Sequence, residues 1–317
     1  MSDIIVTRAP TRIDFGGGWT DVPPYCDEMG GFVCNLAITR YATASVARGE
    51  RRDMRNDSNA ADLAIANAAT RRFGAHDVTV SVRSDFPIGA GLGGSSAAGV
   101  ATVAALAAAC GETMTPTAIA ELSREIEIGD LGIPGGRQDH YAAAYGGALG
   151  LRFSANHVDV QPIALTAQMR AEIEERCIIV YTGQSRISGE TINAVLGAYR
   201  RGVPRVLNAL QHMRANAEQI AVALGVGDLD RMASLVSEQW THQRSLHSAI
   251  PTPLIDEIIS KARAAGAIGA KALGASGGGC VLLIAGQGRG DDVRTVVASL
   301  GGVLPFTVAT RGVERCA

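Results

Sequence analysis

The 317-residue sequence lacks any long uninterrupted apolar segment. Its most apolar stretch, Ala97 to Cys110, is interrupted by Gly99 and Thr102 and is shorter than the roughly 20 residues that a membrane-spanning helix needs. Residues 1–12 also lack the charged segment followed by an apolar core that marks a secretory signal. We therefore expect a soluble, cytoplasmic protein without a membrane partner.

Metal-binding motifs and an excess of positive charge are lacking as well. The six cysteines include no C-x-x-C pair and the six histidines no H-E-x-x-H motif, so we expect free thiols in a reducing compartment and no zinc site. A net charge of −2 and a pI of about 6.3 leave no basic surface for nucleic acid or for anionic lipid. A small molecule is the expected partner, with a homodimer as a possible assembly.

Apolar residues, in contrast, are abundant at 47%, and the mean hydropathy is +0.13. A chain of this length exceeds the size at which a single hydrophobic core usually keeps growing, so we expect two domains. Strand-like and helix-like segments do not follow a simple βαβ repeat, which favours an α+β fold. A polar stretch around Thr166 to Glu175 is predicted to separate residues 1–168 from residues 169–317.

The most informative segment is Pro87 to Gly99, which contains five glycines and the pair Ser95 and Ser96. Glycine allows positive φ and leaves room for a close ligand, so successive backbone amides can point toward an anion. The small apolar residues that follow predict a helix, whose first turn adds free N–H groups. We predict a cradle for nucleotide phosphates.

Three interpretations of this segment remain open from its residues alone. Gly89, Gly91 and Gly94 satisfy the dinucleotide pattern G-x-G-x-x-G, although no strand directly precedes them and a second helix follows instead of a second strand. The Walker-A pattern nearly fits but lacks its lysine; the chain has only Lys261 and Lys271. The third interpretation is a glycine-rich turn before a core helix.

Two further loops carry carboxylates. Gly16 to Gly18 precede Trp19, Thr20 and Asp21, and this combination of an indole face and a carboxylate could bind a polyol. Residues 129–139 form a second glycine-rich loop that ends at Asp139, for which an N-cap of the next helix is the structural alternative. Glu127, just before that loop, could equally be a solvated helix residue.

Several local patterns predict secondary structure. Gly31–Ile38 and Ala42–Ala47 are predicted to be a pair of strands, and Arg48–Arg55 a solvated turn. Thr115–Ile128 is predicted to be an amphipathic helix with Thr115 as its N-cap, and Val303–Ala309 a closing strand. A third glycine cluster, Lys271–Cys280, is predicted to lead into a strand.

Together these motifs resemble the GHMP kinase superfamily. The first matches Ala9 to Asp21, the second Pro87 to Ala97 and the third Lys271 to Gly279, so the resemblance covers nearly the whole chain. Gly132 to Asp139 is similar to the D-glycero-D-manno-heptose 7-phosphate kinases, which phosphorylate an anomeric hydroxyl, whereas Gly17 to Pro24 is closer to L-fucokinase. The implied fold is a ribosomal protein S5 domain 2-like N-terminal domain followed by a ferredoxin-like C-terminal domain.

The resemblance also implies cofactors and site residues. It implies ATP and Mg²⁺, with Asp139 as the general base and Arg12 beside it, and with Ser96 and Glu127 as metal ligands. The implied phosphate-binding residues are Gly89, Gly91, Leu92, Gly93, Gly94, Ser95 and Ser96. The implied sugar-binding residues are Gly18, Trp19, Thr20, Asp21, Gly136, Arg137, Arg186 and Gly278, of which the two arginines are candidates for a phosphate already on the sugar.

The resulting expectation is an ATP-dependent sugar 1-kinase acting on a heptose 7-phosphate or on an unphosphorylated sugar such as L-fucose. A nicotinamide-dependent dehydrogenase built on Gly89, Gly91 and Gly94 is the alternative enzyme. A sensing protein without catalytic activity is a third possibility, although it would have no need of both Glu127 and Asp139.

Overall fold

The computed structural model of the chain describes residues 4–49, 59–155, 157–184 and 189–316. Its strands are β1 (Ile5–Gly16), β2 (Gly31–Arg48), β3 (Val78–Ser84), β4 (Ala148–Ser154), β5 (His157–Ile163), β6 (Cys177–Tyr181), β7 (Ala267–Ala272), β8 (Cys280–Ala285), β9 (Gly302–Leu304) and β10 (Glu314–Arg315). Its helices are α1 (Tyr25–Met29), α2 (Ala60–Arg72), α3 (Gly94–Ala109), α4 (Pro116–Arg124), α5 (Gln138–Tyr145), α6 (Ala167–Arg176), α7 (Gly189–Arg200), α8 (Pro204–Gly225), α9 (Leu229–Ser245), α10 (Pro253–Ala264) and α11 (Gly290–Val297), and a π-helical segment, Glu125–Asp130, directly follows α4. The predicted α+β class is confirmed, with two antiparallel sheets.

The first sheet has the strand order β10-β1-β2-β4-β5, with β3 also paired to β2. The prediction of two strands within residues 31–47 is wrong, because β2 is one continuous strand of 18 residues. Its first part pairs with β4 and its last part, from Ala42, pairs with β3. The polar residues between Ile38 and Ala42 therefore mark a change of partner strand, which a local pattern cannot distinguish from a turn.

Helix α3 packs across this sheet, against β1 and β2. Most of its residues are buried, mainly alanine, valine and glycine, and these small side chains allow close approach of the backbones. Helix α3 also packs closely against α4, where a Cβ on Gly99 would lie 2.4 Å from Ser123 Oγ. The first turn of α3, at the edge of the sheet, is held in place by this packing.

The second sheet has the order β7-β8-β6-β9 and is covered by α9, α10 and α11. The strand at Ala267–Ala272 precedes the third glycine cluster and was not among the predicted elements. The predicted strand Val303–Ala309 is largely wrong: β9 ends at Leu304, and Val308 makes only an isolated bridge to Ile38. From there the chain returns to the first sheet, where β10 pairs with β1.

The remaining fold predictions concern boundaries. Helix α4 begins at Pro116 with Thr115 as its N-cap, as predicted, but the segment from Glu125 is π-helical. Most of the predicted turn at Arg48–Arg55 lies outside the described residues. The division between residues 168 and 169 falls within α6 and stays a prediction. Across the described ranges, no helix is long and apolar enough to cross a membrane.

Candidate active site

The glycine loop before α3 lies in the wall of a cavity of about 600 Å³. Gly89, Gly91 and Gly93 have φ values of +69°, +74° and +74°, a conformation that L side chains rarely adopt. The loop is fixed from both sides, since Leu92 O accepts a hydrogen bond from Arg12 N and Ala90 O accepts one from Cys280 N, at 3.0 and 2.8 Å. It leads into α3 at Gly94, so it is preorganised in front of a helix N-terminus.

The dinucleotide-binding interpretation of this loop is wrong. Strand β3 precedes the loop but pairs antiparallel with β2, and α3 is followed by α4 instead of a second strand. A dinucleotide fold requires parallel strands joined by a crossover helix. The loop instead rests on the third glycine cluster, at Gly274 and Gly279.

The contact between the two glycine clusters gives a first prediction. A Cβ on Gly91 would lie 2.7 Å from Leu273 O, so Gly91→Ala must displace the loop. We expect the KM for ATP to rise about tenfold or more, the effect of losing a hydrogen bond to a charged group. Steady-state kinetics at varied ATP concentration measure this effect.

Gly111→Ala is the matched control. Gly111 has φ +75°, nearly the φ of Gly91, but a Cβ there has no neighbour within 4 Å. Both substitutions carry the cost of a left-handed residue, about 1–2 kcal/mol, and only the one at Gly91 also causes a collision. Equal ATP KM values for the two variants would contradict the proposed role of the loop.

Ser95, Ser96, Glu127 and His140 form a hydrogen-bonded cluster beside the loop. Ser95 Oγ and Ser96 Oγ donate to the Glu127 carboxylate at 2.6 and 2.9 Å, and His140 Nε2 lies 2.8 Å from Glu127 Oε2. Glu127 is buried, in the first turn of the π-helical segment. Burial alone would raise its pKa, but hydrogen bonds from His140 and the serines lower the pKa below the ordinary value. Glu127 is therefore held as a carboxylate.

This cluster fits a magnesium ion bound together with a nucleotide. It offers hydroxyl and carboxylate oxygens, the donors that Mg²⁺ prefers. In the part of the chain that the structure describes, no three His, Cys, Asp or Glu side chains are grouped to form an all-protein cage. Phosphate oxygens and water would have to complete the coordination, as is usual for Mg²⁺ in phosphoryl transfer. Ser96 and Glu127 remain the predicted ligands.

Arg12 and Asp139 face each other beside the glycine loop. Arg12 Nε and Nη2 donate to Asp139 Oδ1 and Oδ2, each at 2.8 Å, and Arg12 Nη1 donates to Gly91 O at 2.6 Å. A Cβ on Gly93 would lie 3.0 Å from the Asp139 carboxylate. The carboxylate is therefore placed directly against the loop. The alternative of Asp139 as an N-cap is wrong, since Arg137 occupies that position without a capping side chain.

Asp21 lines the same cavity and is hydrogen-bonded to the residue that precedes Asp139. Its Oδ2 accepts a hydrogen bond from Gln138 N at 3.0 Å, and a Cβ on Gly136 would lie only 2.0 Å from that oxygen. Burial raises its pKa to about 6, opposed by the Gln138 hydrogen bond and reinforced by Asp139 and Asp14. Gly18 and Trp19 also line this cavity, Trp19 with φ +80°.

The structure brings most of the predicted site residues to one cavity. Of the predicted residues it describes, those that line the cavity are Arg12, Gly18, Trp19, Asp21, Gly89, Gly91, Leu92, Gly93, Gly94, Ser95, Ser96, Glu127, Gly136, Asp139 and Gly278. Residues of both halves of the chain therefore form one site. Their roles stay predictions.

Two predicted residues are directed elsewhere. Thr20 is fully buried, and its hydroxyl bonds to Gly17 O and Phe32 O. Arg137 does not line the cavity, because its Nη1 donates to Ser154 O at 2.8 Å and its guanidinium faces Asp27 and Glu121. Arg186 lies outside the described residues.

Sequence reasoning missed several polar residues in the same wall, four of which carry an amide, a carboxylate or an imidazole beside the predicted site residues. Asn59 and Asp62 line the cavity at the start of α2. Burial raises the pKa of Asp62 to about 6. His140 contacts Glu127, and its position next to Asp139 was the available signal. Asp14 also lines the cavity, but the alternation of apolar and polar residues around it indicates only a position in strand β1.

Family models place the chain among known proteins. Residues 60–147 match the GHMP kinases N terminal domain and residues 217–302 match the GHMP kinases C terminal model. A D-glycero-alpha-D-manno-heptose 7-phosphate kinase of Campylobacter jejuni is 28% identical over 298 residues, which cover 87% of each chain.

Other relatives carry different substrate names. A mevalonate kinase of Pyrococcus horikoshii is 30% identical over 239 residues, covering 74% of this chain and 67% of its own. A bifunctional fucokinase/GDP-fucose pyrophosphorylase of Arabidopsis thaliana is 24% identical over 313 residues, covering 87% of this chain and 29% of its own.

A solved structure supports the fold. The crystal structure of a D-glycero-D-manno-heptose 1-phosphate kinase from Bacteroides thetaiotaomicron superposes with a TM-score of 0.77 at 23% identity, covering 99% of both chains. From the two matched domains and these relatives, the chain belongs to the GHMP kinase superfamily.

Proposed function

We propose that this chain catalyses the ATP-dependent phosphorylation of the anomeric hydroxyl of a sugar, with D-glycero-D-manno-heptose 7-phosphate as substrate and the 1,7-bisphosphate as product. The observation that carries the proposal is the placement of the Asp139 carboxylate. It is paired with Arg12 and lies against the glycine loop, in the cavity that Asp21 also lines. A carboxylate in that position can accept the proton of a hydroxyl that attacks a phosphate held by the loop.

Each element of the site has a defined task in this proposal. The amides of residues 89–96 bind the phosphates of ATP, and Ser96 and Glu127 hold the metal ion, which neutralises phosphate charge when bound. Arg12 orients the Asp139 carboxylate through two hydrogen bonds. Asp21 accepts hydrogen bonds from sugar hydroxyls, so that the attacking oxygen is held in line.

The identity of the sugar is supported by the Campylobacter jejuni relative, named as a heptose 7-phosphate kinase. A second candidate is an unphosphorylated sugar such as L-fucose, as the name of the Arabidopsis thaliana relative indicates. A specific observation favours this alternative: Arg137, predicted to bind a sugar phosphate, is directed toward Asp27 and Glu121. Arg186 stays the predicted partner of such a phosphate.

A substrate panel tests the proposal. The purified chain with ATP and Mg²⁺ is given D-glycero-D-manno-heptose, its 7-phosphate, L-fucose and mevalonate, and ADP release is measured. We expect turnover with the heptose 7-phosphate and a product with a new phosphate at C1 by ³¹P NMR. Turnover of L-fucose or of the free heptose alone would select the second candidate, and turnover of none of the sugars would refute the kinase proposal.

The raised pKa of Asp21 gives a second prediction. Only the ionised carboxylate is a full hydrogen-bond acceptor for sugar hydroxyls, so kcat/KM for the sugar should fall as the pH falls below about 6. Well below that pH the decrease should approach roughly tenfold per pH unit, as expected for one proton. Initial rates at limiting sugar, between pH 5 and 8, measure this profile.

Asp21→Asn is the control for this profile, because an amide keeps the shape but does not titrate. We expect lower sugar affinity in this variant and no inflection near pH 6. An inflection that persists in the variant would assign the titration to another group.

A further inference from the structure

A buried ion pair connects the two sheets next to the sugar end of the cavity, which is the part lined by Gly18, Trp19 and Asp21. Lys271, in β7, has no exposed surface, and its Nζ lies 2.9 Å from Asp14 Oδ2 and 2.8 Å from Asp14 O in β1. Burial lowers the pKa of Lys271, and the Asp14 carboxylate opposes that effect. Removing two charges from water has a high cost, which the pair recovers only through close geometry and further hydrogen bonds.

The Asp14 carboxylate is only half satisfied. Its Oδ2 faces Lys271, whereas its buried Oδ1 has no hydrogen-bond partner among the described residues. An unpaired carboxylate oxygen in a buried site is costly, so such an atom calls for a donor. Asp14 lines the cavity together with Gly18, Asp21 and Asp139, so a bound ligand can supply that donor.

Gly18 leaves room for the Asp14 carboxylate, on the side of the Oδ2 atom that faces Lys271. A Cβ on Gly18 would lie 2.3 Å from Asp14 Oδ2 and 3.3 Å from Gln138 Nε2. Gly136 does the same for Asp21, where a Cβ would lie 2.0 Å from Oδ2. Both carboxylates are buried in the cavity wall, and each has room only because a glycine lies against it, which is the arrangement expected of paired acceptors for a polyol.

We propose that Asp14 is a second sugar-binding carboxylate, which accepts a hydrogen bond from one hydroxyl of the acceptor substrate while Lys271 positions it from beneath. This inference rests on the proposed sugar kinase function and adds a specificity-determining residue to it. Lys271 is a positioning residue, since it reaches the substrate only through Asp14. The substrate class that fits is a sugar with hydroxyls for both Asp14 and Asp21.

A double-mutant cycle between Asp14 and the sugar tests the inference. The sugar turned over in the panel, the heptose 7-phosphate or L-fucose, is compared with its monodeoxy derivatives in the wild type and in Asp14→Asn. The amide would orient its oxygen to Lys271 and place an NH₂ donor where the free acceptor was. We expect kcat/KM for the sugar to fall about 10- to 100-fold, with the KM for ATP changed less than about twofold.

The deoxy series separates binding from a structural effect. With the wild type, one deoxy sugar should have a kcat/KM about 10- to 100-fold below that of the parent sugar. With Asp14→Asn, kcat/KM for the same two sugars should differ by less than about threefold, because the two changes remove the same hydrogen bond. Lys271→Met should show the same selective loss. Asp27→Asn, the same substitution at a neighbouring carboxylate that does not line the cavity, should leave kcat/KM for the sugar unchanged.

The outcomes are distinguishable. If the wild type phosphorylates a sugar and Asp14→Asn has the same kcat/KM for it, or if every deoxy sugar is penalised equally in both enzymes, this inference is overturned and the proposed function stands. If the wild type phosphorylates no sugar, both fail. Should Asp14→Asn not fold because Lys271 is left without its partner, Asp14→Asn/Lys271→Met removes both charges and replaces it in the same cycle.

Discussion

Asp139→Asn should lower kcat roughly 10²- to 10⁴-fold, the range that loss of a general base produces, while nucleotide binding is retained. The asparagine oxygen can still accept a hydrogen bond from Arg12, so the shape of the pair is preserved. The basic carboxylate at position 139, however, is lost. The attacking hydroxyl must then release its proton to water. Single-turnover rates with saturating ATP and sugar measure the chemical step, and binding of a non-hydrolysable ATP analogue measures retention of the nucleotide site.

A control with the same pairing geometry is available at the surface. Asp130 accepts two hydrogen bonds from Arg72, at 2.8 and 2.6 Å, and does not line the cavity. Asp130→Asn therefore makes the same change to an equivalent arginine pair without touching the site and should leave kcat unchanged. A kcat of Asp139→Asn within threefold of the wild type would remove Asp139 from the role of base.

Glu127→Gln should have the second large effect, a loss of roughly 10²-fold in kcat/KM for ATP together with at least a tenfold increase in the Mg²⁺ concentration for half-maximal activity. The amide keeps the size of the side chain but provides a neutral oxygen in place of a carboxylate that Ser95, Ser96 and His140 hold ionised. Titration calorimetry of a non-hydrolysable ATP analogue, with and without Mg²⁺, separates metal binding from catalysis.

Glu121→Gln is the matched substitution for this experiment. Glu121 lies in α4, accepts hydrogen bonds from Tyr141 and Arg124, and does not line the cavity. It should alter stability without altering the Mg²⁺ requirement. If Glu127→Gln also keeps the wild-type Mg²⁺ requirement, the metal ligands must be sought elsewhere, with Asp62 as the next carboxylate in the wall.

The features that the sequence predicts well are those set by neighbouring residues. Gly89, Gly91 and Gly93 permit the positive φ that the loop adopts, and the small apolar residues of α3 favour a buried helix, so loop and helix follow from local chemistry. Thr115 and Pro116 mark the start of α4 for the same reason. The presence of Arg12, Glu127 and Asp139 in one cavity was an expectation from the family resemblance, and the structure brings them together.

The features that the sequence does not predict depend on contacts between distant segments. No local signal indicates that Lys271 would lie under Asp14, 257 residues away, or that the middle of β2 would change partners instead of turning. Arg137 illustrates the opposite error. Its motif places it in the site, but Ser154 O, Asp27 and Glu121 turn its side chain away.

The pairing of β10 with β1 has a consequence for how the chain folds. Thr7 pairs with Arg315 and Arg8 with Glu314, so the edge of the first sheet is completed by a segment 306 residues further along the chain. Contacts of such large sequence separation carry a high loop-closure entropy and slow folding. Until Glu314 and Arg315 have been synthesised, β1 exposes an unpaired edge able to recruit strands of other chains. We therefore expect the nascent chain to depend on chaperones more than a protein with two independently completed domains.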